Sequence, residues 1–392
     1  MTEISDVRRW AMLAASTLAQ AAGAVMIHGP AFLIPVLHDR RGLSLAEAGM
    51  VAAAPTVGVM LTLVLWGLVV DRSGERFVLL SGLAATTGAG VVATLSDSTV
   101  LLALALVLAG AAAASTSSAS GRVVVGWFPA GRRGLAMGIR QMAQPVGVGV
   151  AAISIAVVAD RYGIGSALLV PTLACAIALA VVAVVVIDPP RPARREGDAA
   201  NPYRQDGYLT RIHGVSVLLV VPQFLVWTFA LVWLVKDRDW SPAAAGSLVA
   251  GAQIVGAFGR IAVGHLSDVV GSRMRPLQWV AVAAAVAMLL LGFTSGADLS
   301  IAVALMVLAT AITVADNGLA FTAVAERAGP FWSGRALGVQ NTAQFLAASA
   351  VPPIAGLDVT QWGYSAAFAA AAFFPLLAVG LVPVHDEGDL AD

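Results

Sequence analysis

Apolar residues along this chain fall into long runs separated by short clusters of charged and turn-forming residues. A helix crossing about 30 Å of hydrocarbon at 1.5 Å per residue needs about 20 apolar residues. On that measure the runs predict twelve membrane-spanning helices, at roughly 11–36, 45–69, 77–95, 99–127, 134–157, 165–187, 210–235, 242–266, 276–294, 299–325, 334–356 and 362–384. Between the sixth and seventh lies a polar stretch, Asp188 to Tyr208, with four prolines and with five charged residues in its Pro190–Asp198 core. It reads as a linker at 188–208 joining an N-terminal six-helix bundle, 1–187, to a C-terminal one, 209–392. The fold class expected is an all-α membrane protein of two pseudo-symmetric six-helix bundles.

The polar punctuation repeats. Gly67-Leu68-Val69-Val70-Asp71-Arg72-Ser73-Gly74-Glu75-Arg76 and, 197 residues later, Gly264-His265-Leu266-Ser267-Asp268-Val269-Val270-Gly271-Ser272-Arg273 share the skeleton G-x-x-x-D-x-x-G-x-R. Each copy sits where one apolar run ends and another begins. Ser44, Ala48 and Gly49 match Ser241, Ala245 and Gly246 at the same offset, and Gly134, Gly138, Ala143, Gln144 and Gly163 match Gly334, Gly338, Ala343, Gln344 and Gly363 at an offset of 200. The chain is therefore a duplication. In these two loops it resembles the major facilitator superfamily, whose signature loop joins helices 2 and 3 and recurs between helices 8 and 9. The resemblance spans nearly the whole chain and implies transport by alternating access.

Composition excludes the other broad classes. Apolar residues make up 59% of the chain and charged ones 12%, too little polar surface for a water-soluble fold of this length. The first apolar run is long and lacks a small-residue cleavage pattern, so helix 1 itself is expected to direct insertion. Of 23 cations, 15 fall on one side and five on the other when the N-terminus is placed inside, with three left within apolar segments. Both termini are thus expected in the cytoplasm, with the protein multi-pass in the cytoplasmic (inner) membrane. Net charge zero argues against a nucleic-acid partner, and the lone Cys175 excludes an intrachain disulfide. A single lysine, Lys236, and no phosphate-cradling glycine loop argue against ATP coupling within this polypeptide. The run His265-Leu266-Ser267-Asp268 holds the residue types of a hydrolase triad, but neighbouring positions on a helix end point in different directions. No enzyme, cofactor or metal site is expected, and the expected partners are substrate, protons and lipid, with the protein a monomer.

Ionisable residues at membrane depth carry the chemistry, since each is costly unless paired or facing water. Arg122 lies ten residues before Arg132, about 15 Å along the helix axis, on one face with Ser115 and Ser118. Arg140 and Arg260 stand about 10–12 Å from their loops, and Asp316, ten residues before Glu326, is the deep carboxylate. Gln20, Gln144, Gln223, Trp227, Asn341 and Gln344 are polar or aromatic neighbours at usable depths, and His28 is placed near the outer surface. The resemblance implies proton coupling or anion binding for Arg122, because Arg122-x-x-x-Gly126 is similar to the family's helix 4 motif. It likewise implies substrate-carboxylate contact for Arg260, whose segment resembles helix 8 of organic-anion and monocarboxylate carriers, with helices 5 and 8 facing one another. Leu63 at the matching place in helix 2 departs from the paired arginines of nitrate carriers. Asp71, Arg72 and Arg76 with Asp268 and Arg273 resemble the family's cytoplasmic latch.

Three deep arginines against one aspartate favour an anion. The leading expectation is proton-coupled uptake of a small organic anion, monocarboxylate-like, with Arg122, Arg140, Gln144, Arg260, Asn341, Gln344, Gln20, Gln223 and Trp227 binding substrate and with Asp316 and Arg122 coupling the proton. The alternative for Asp316 is a static ion pair with an arginine. The alternative function is proton-coupled efflux of apolar or cationic compounds, although the helix 5 pattern Gln144-Pro145-Val146-Gly147-Val148-Gly149 only partly matches drug-efflux carriers. A non-transporting sensor would need a sizeable output domain, and the longest polar stretch is about 20 residues.

Overall fold

The computed structural model describes residues 4–189 and 201–387, so the Pro190–Asp198 core of the expected linker lies outside the described residues. Among the described residues every long element is a helix and no strand occurs. Ten spans follow in order: α1 (Asp6–Arg41), α2 (Leu45–Ser73), α3 (Glu75–Thr94), α4 (Thr99–Trp127), α5 (Ala130–Tyr162), α6 (Ile164–Val185), α7 (Tyr208–Lys236), α8 (Pro242–Val270), α9 (Met274–Gly296) and α10 (Ile301–Ala328). The last helical stretch, Ser333–Asp386, is 54 residues long, too long for one crossing. Gly363, at φ 83° and ψ 170°, divides it into α11 (333–362) and α12 (364–386). Twelve crossings result, as the runs predict.

Local chemistry sets where the helices start. Ser44 and Ser241, equivalent in the two repeats, cap α2 and α8. Ser44 Oγ accepts from Glu47 N at 3.2 Å while the Glu47 carboxylate accepts from Ser44 N at 2.8 Å, and Ser241 Oγ accepts from Ala244 N at 3.3 Å. Large apolar side chains such as Leu61, Ile153 and Phe293 are exposed on outer faces, as contact with lipid demands.

Four helices are interrupted among the described residues, α12 at Ala372 and near its end, and three others at places that bear on the site. In α1 a 3-10 turn, Gly29–Leu33, separates two helical pieces. In α5 one piece ends at Gln141 and the next begins at Ala143, and the cause is Pro145, which has no amide to donate to the carbonyl four residues back. In α10 the pieces are Ile301–Ile312 and Asp316–Ala328. There Thr313 N still donates to the Ala309 carbonyl at 2.9 Å, but Ala315 N donates to the Ile312 carbonyl three residues back, at 3.1 Å, and Asp316 becomes the first residue of a new helix inside the span.

The chain divides into two compact units. One takes the described residues of Met1–Phe128, Met142–Ala200 and Ala328–Asn341, and the other those of Pro129–Gln141, Asn201–Arg327 and Thr342–Asp392. Each therefore includes a short piece of the opposite sequence half. In the first unit the start of α11 packs on the end of α2, and a Cβ on Gly67 would meet the Gly334 carbonyl at 2.3 Å. In the second the start of α5 packs on the end of α8, and a Cβ on Gly264 would meet the Gly134 carbonyl at 2.3 Å. Gly67 and Gly264 are repeat equivalents, as are Gly334 and Gly134, so one close backbone approach is used twice. The core of the first unit includes Leu33, Leu37, Leu79, Leu83 and Leu106, and that of the second Val226, Trp233, Met288, Leu291, Met306 and Phe368.

Candidate functional site

Each signature aspartate accepts from two consecutive main-chain amides in the first turns of a helix from the other sequence half. In the first unit Asp71 accepts from Gly334 N at 2.8 Å and Arg335 N at 3.1 Å. In the second Asp268 accepts from Gly134 N at 2.9 Å and Leu135 N at 2.8 Å. At Asp71 these are among the first amides of α11, which lack intrahelical partners and form the positive end of its dipole, whereas Gly134 and Leu135 lie in the second turn of α5. Arginines then pin both carboxylates, in different ways. Asp71 also accepts from Arg335 Nε at 2.9 Å and from Arg122, whose Nε reaches Glu75 at 2.7 Å and whose Nη2 reaches the Pro330 carbonyl at 2.9 Å. Asp268 accepts from Arg273 Nη1 at 2.6 Å, and Arg273 also donates to Glu326, which pairs with Arg133 at 3.3 Å. Arg122, Glu75, Asp71 and Arg273 are all buried.

Arg122 thus stands with the carboxylates of the first signature loop. Depth counted from Arg132 misses this because α4 ends at Trp127, one and a half turns past Arg122. Of the other loop residues, Arg72 is exposed, and Arg76 turns to the end of α6, donating to the Val186 and Ala183 carbonyls at 2.5 and 2.7 Å. Glu75, Glu326, Arg133 and Arg335 were not singled out from the sequence, though Glu75 lies within the first signature copy.

The second unit holds a deeper charged cluster on α5, α8 and α10. A Cβ on Gly138 would meet the Arg260 carbonyl at 2.7 Å, and one on Gly318 would lie 3.6 Å from Gly138, so glycines let these three helices approach closely. Arg140, Arg260 and Asp316 are exposed by only 1%, 5% and 1%. Gln141 joins the two arginines: its side-chain oxygen accepts from Arg140 Nη1 at 3.0 Å and its main-chain carbonyl from Arg260 Nη1 at 2.7 Å. The Arg140 guanidinium also lies 5.4 Å from the centre of the Phe321 ring. Arg260 Nε is buried with no hydrogen-bond partner among the described residues, and so are both carboxylate oxygens of Asp316. A buried charge left this way is expensive.

Beside it runs a chain of amides across α7, α10 and α11. Gln344 Nε2 donates to Asn317 Oδ1 at 3.0 Å, and Asn317 Nδ2 donates to Gln223 Oε1 at 3.2 Å. Trp227, one turn from Gln223, packs on Phe224 with ring centres 5.4 Å apart, and its indole N–H has no partner. Gln141 is the member that sequence reasoning missed, and Asn317 is left out of the expected set because it lies about 100° around the helix from Asp316. The available signal for Gln141 is Pro145 four residues on.

The remaining expected residues lie in the first unit. Gln20 accepts from Ser120 Oγ at 2.9 Å, Gln144 Nε2 lies 3.3 Å from His28 Nε2, and Asn341 Nδ2 donates within its own helix to Leu337 at 2.8 Å. Gln20 and Gln144 are thus engaged with other polar side chains of that unit, and Asn341 bonds its own helix.

A model of the Major Facilitator Superfamily matches residues 12–352 and 212–389. An uncharacterized MFS-type transporter of Mycobacterium tuberculosis (strain ATCC 25618 / H37Rv), Rv2994, is 45% identical over 380 residues, which cover 96% of this chain and 85% of that protein. Among solved structures, the proton:xylose symporter XylE superposes with a TM-score of 0.76 at 16% identity, over 96% of this chain and 95% of its own. FucP in the outward conformation superposes with 0.77 at 13% identity, over 96% and 99%. These two likenesses speak to the fold.

Proposed function

The chain belongs to the Major Facilitator Superfamily, and from that premise we propose that it is a secondary transporter taking up a small organic anion, monocarboxylate-like, together with protons by alternating access. The observation that carries this reading is the deep cluster: two guanidinium groups held on Gln141 beside Asp316, with one guanidinium nitrogen and both carboxylate oxygens unpartnered. A substrate carboxylate entering there gains charge-assisted hydrogen bonds from Arg260. Asp316 carries the proton, ionised when an arginine stands beside it and neutral when the arginine is taken by substrate. The amide chain Gln223–Asn317–Gln344 and Trp227 supply the polar and aromatic contacts that orient the rest of the molecule.

On this reading the contacts of Asp71 and Asp268 are latches at the signature-loop face, which bias the alternation of the carrier. That face is cytoplasmic, the termini lie on the same side, and the protein works as a monomer in the inner membrane with bundles at 1–187 and 209–392. Arg122 contributes by biasing the latch. The test is thermal stabilisation of the purified protein by sodium salts of small carboxylates against lipophilic cations, since a ligand that binds the folded state raises apparent stability. Stabilisation by carboxylates, lost in Arg260→Ala, supports the reading. Stabilisation by cations alone replaces it with efflux of cationic compounds.

A further inference from the structure

The carbonyl that holds Arg260 is free for a reason written in the chain. In an unbroken helix the Gln141 carbonyl accepts from the amide of residue 145, and residue 145 is proline, which has none. The ladder resumes one residue later, with Val146 N donating to Met142 O at 3.1 Å. A buried carbonyl left this way needs another donor, and Arg260 Nη1 supplies it at 2.7 Å. With Nη1 docked, the other edge of the guanidinium, Nε and Nη2, remains. Nε is buried and unpartnered, and no described residue accepts from Nη2. That edge is the one that grips a carboxylate with two parallel hydrogen bonds.

The internal repeat supplies a control. Arg260 corresponds to Leu63 at the offset of 197, and Gln141 and Pro145 correspond to Asn341 and Phe345 at the offset of 200. Both repeats use the same close approach, since a Cβ on Gly138 would meet the Arg260 carbonyl at 2.7 Å and one on Gly338 the Leu63 carbonyl at 2.8 Å. In the copy without the arginine, residue 345 can donate its amide and residue 341 needs no outside partner. The proline and the arginine occur together and are missing together.

We infer that Pro145 is a positioning residue: by withholding an amide from the Gln141 carbonyl it leaves that carbonyl to orient Arg260, so that the Nε–Nη2 edge is presented to a substrate carboxylate. The carboxylate half of this inference rests on the proposed function. The orienting half does not. It also differs from a kink alone, because any residue other than proline restores the donor whatever its helix propensity.

The test combines two readouts on the full-length purified protein. The first needs no ligand: melting midpoints are measured for wild type, Pro145→Ala, Arg260→Met and the double variant, with Pro145→Gly in parallel. Arg260→Met strands the Gln141 carbonyl only where proline is present, so the drop it causes should shrink to about half or less in the Pro145→Ala and Pro145→Gly backgrounds. Additive midpoints overturn the inference, and so does shrinkage with alanine but not glycine, which marks helix propensity as the cause. The second readout titrates the stabilisation by sodium propionate, lactate, benzoate and succinate. Pro145→Ala should move the midpoint of the titration roughly tenfold upward without further effect in Arg260→Met. An unmoved midpoint in Pro145→Ala also overturns it. If no acid stabilises wild type, the anion reading fails on its own and the melting cycle alone decides the role of the proline.

Discussion

At the scale of residues, the proposed chemistry rests on one guanidinium and one carboxylate. Lysine at 260 keeps the charge but not the two-pronged geometry, so Arg260→Lys should weaken carboxylate binding by about tenfold to a hundredfold, measured by titration of the melting midpoint. Unchanged affinity would remove Arg260 from the site. Asp316→Asn mimics the protonated carboxyl and should abolish accumulation driven by a pH gradient while leaving exchange at equal pH. Labelled counterflow separates the two, and loss of both would assign Asp316 a structural ion-pairing role. The ionisable members of this cluster were legible in the sequence, because a charge deep in an apolar run is conspicuous. Gln141 was not, since its part depends on a main-chain carbonyl and on a partner 119 residues away. Arg122 was read as deep, whereas it lies near the end of α4, because distance along one helix cannot reveal that Asp71 and Glu75 of the signature loop come to meet it.

At the scale of elements, four equivalent glycines and two equivalent aspartates make one joint twice. Gly134→Ala would drive a Cβ to 2.2 Å from the Gly264 carbonyl, and a backbone cannot give way as a flexible side chain can. The expected cost is about 1–3 kcal/mol, read as a lowered melting midpoint. Gly131→Ala, in the same helix with nothing within 4 Å, is the matched control and should be neutral or stabilising. Equal midpoints for the two would contradict the packing account. Asp71→Asn removes the charge that draws Arg122 and Arg335 and weakens the cap on α11. Spin labels on α2 and α11 should report a shift toward longer separations, with substrate affinity in the competent state retained. An unchanged distance distribution with lost binding would count against a latch. The repeat in the loops was readable from spacing alone, whereas the partner of each copy was not. Hydropathy likewise marks the spans, and it is silent on the breaks at Met142 and at 313–315, which arise from missing or diverted backbone hydrogen bonds.

At the scale of the whole molecule, duplication supplies the frame and divergence the function. Arg140, Arg260 and Pro145 stand where the other repeat has Gln340, Leu63 and Phe345. The α5–α8 pair is thereby charged and the α11–α2 pair neutral, an asymmetry that the proposed single anion site would require. The measurement that tests the central claim most directly is uptake of a labelled carboxylate, chosen as the best stabiliser of the purified protein, into proteoliposomes with an imposed inward proton gradient and no sodium, corrected for empty liposomes. The account predicts accumulation above the external concentration that collapses with the gradient and is absent in Asp316→Asn and Arg260→Ala. Accumulation that survives Asp316→Asn, or gradient-driven movement of a lipophilic cation in place of the carboxylate, would contradict it.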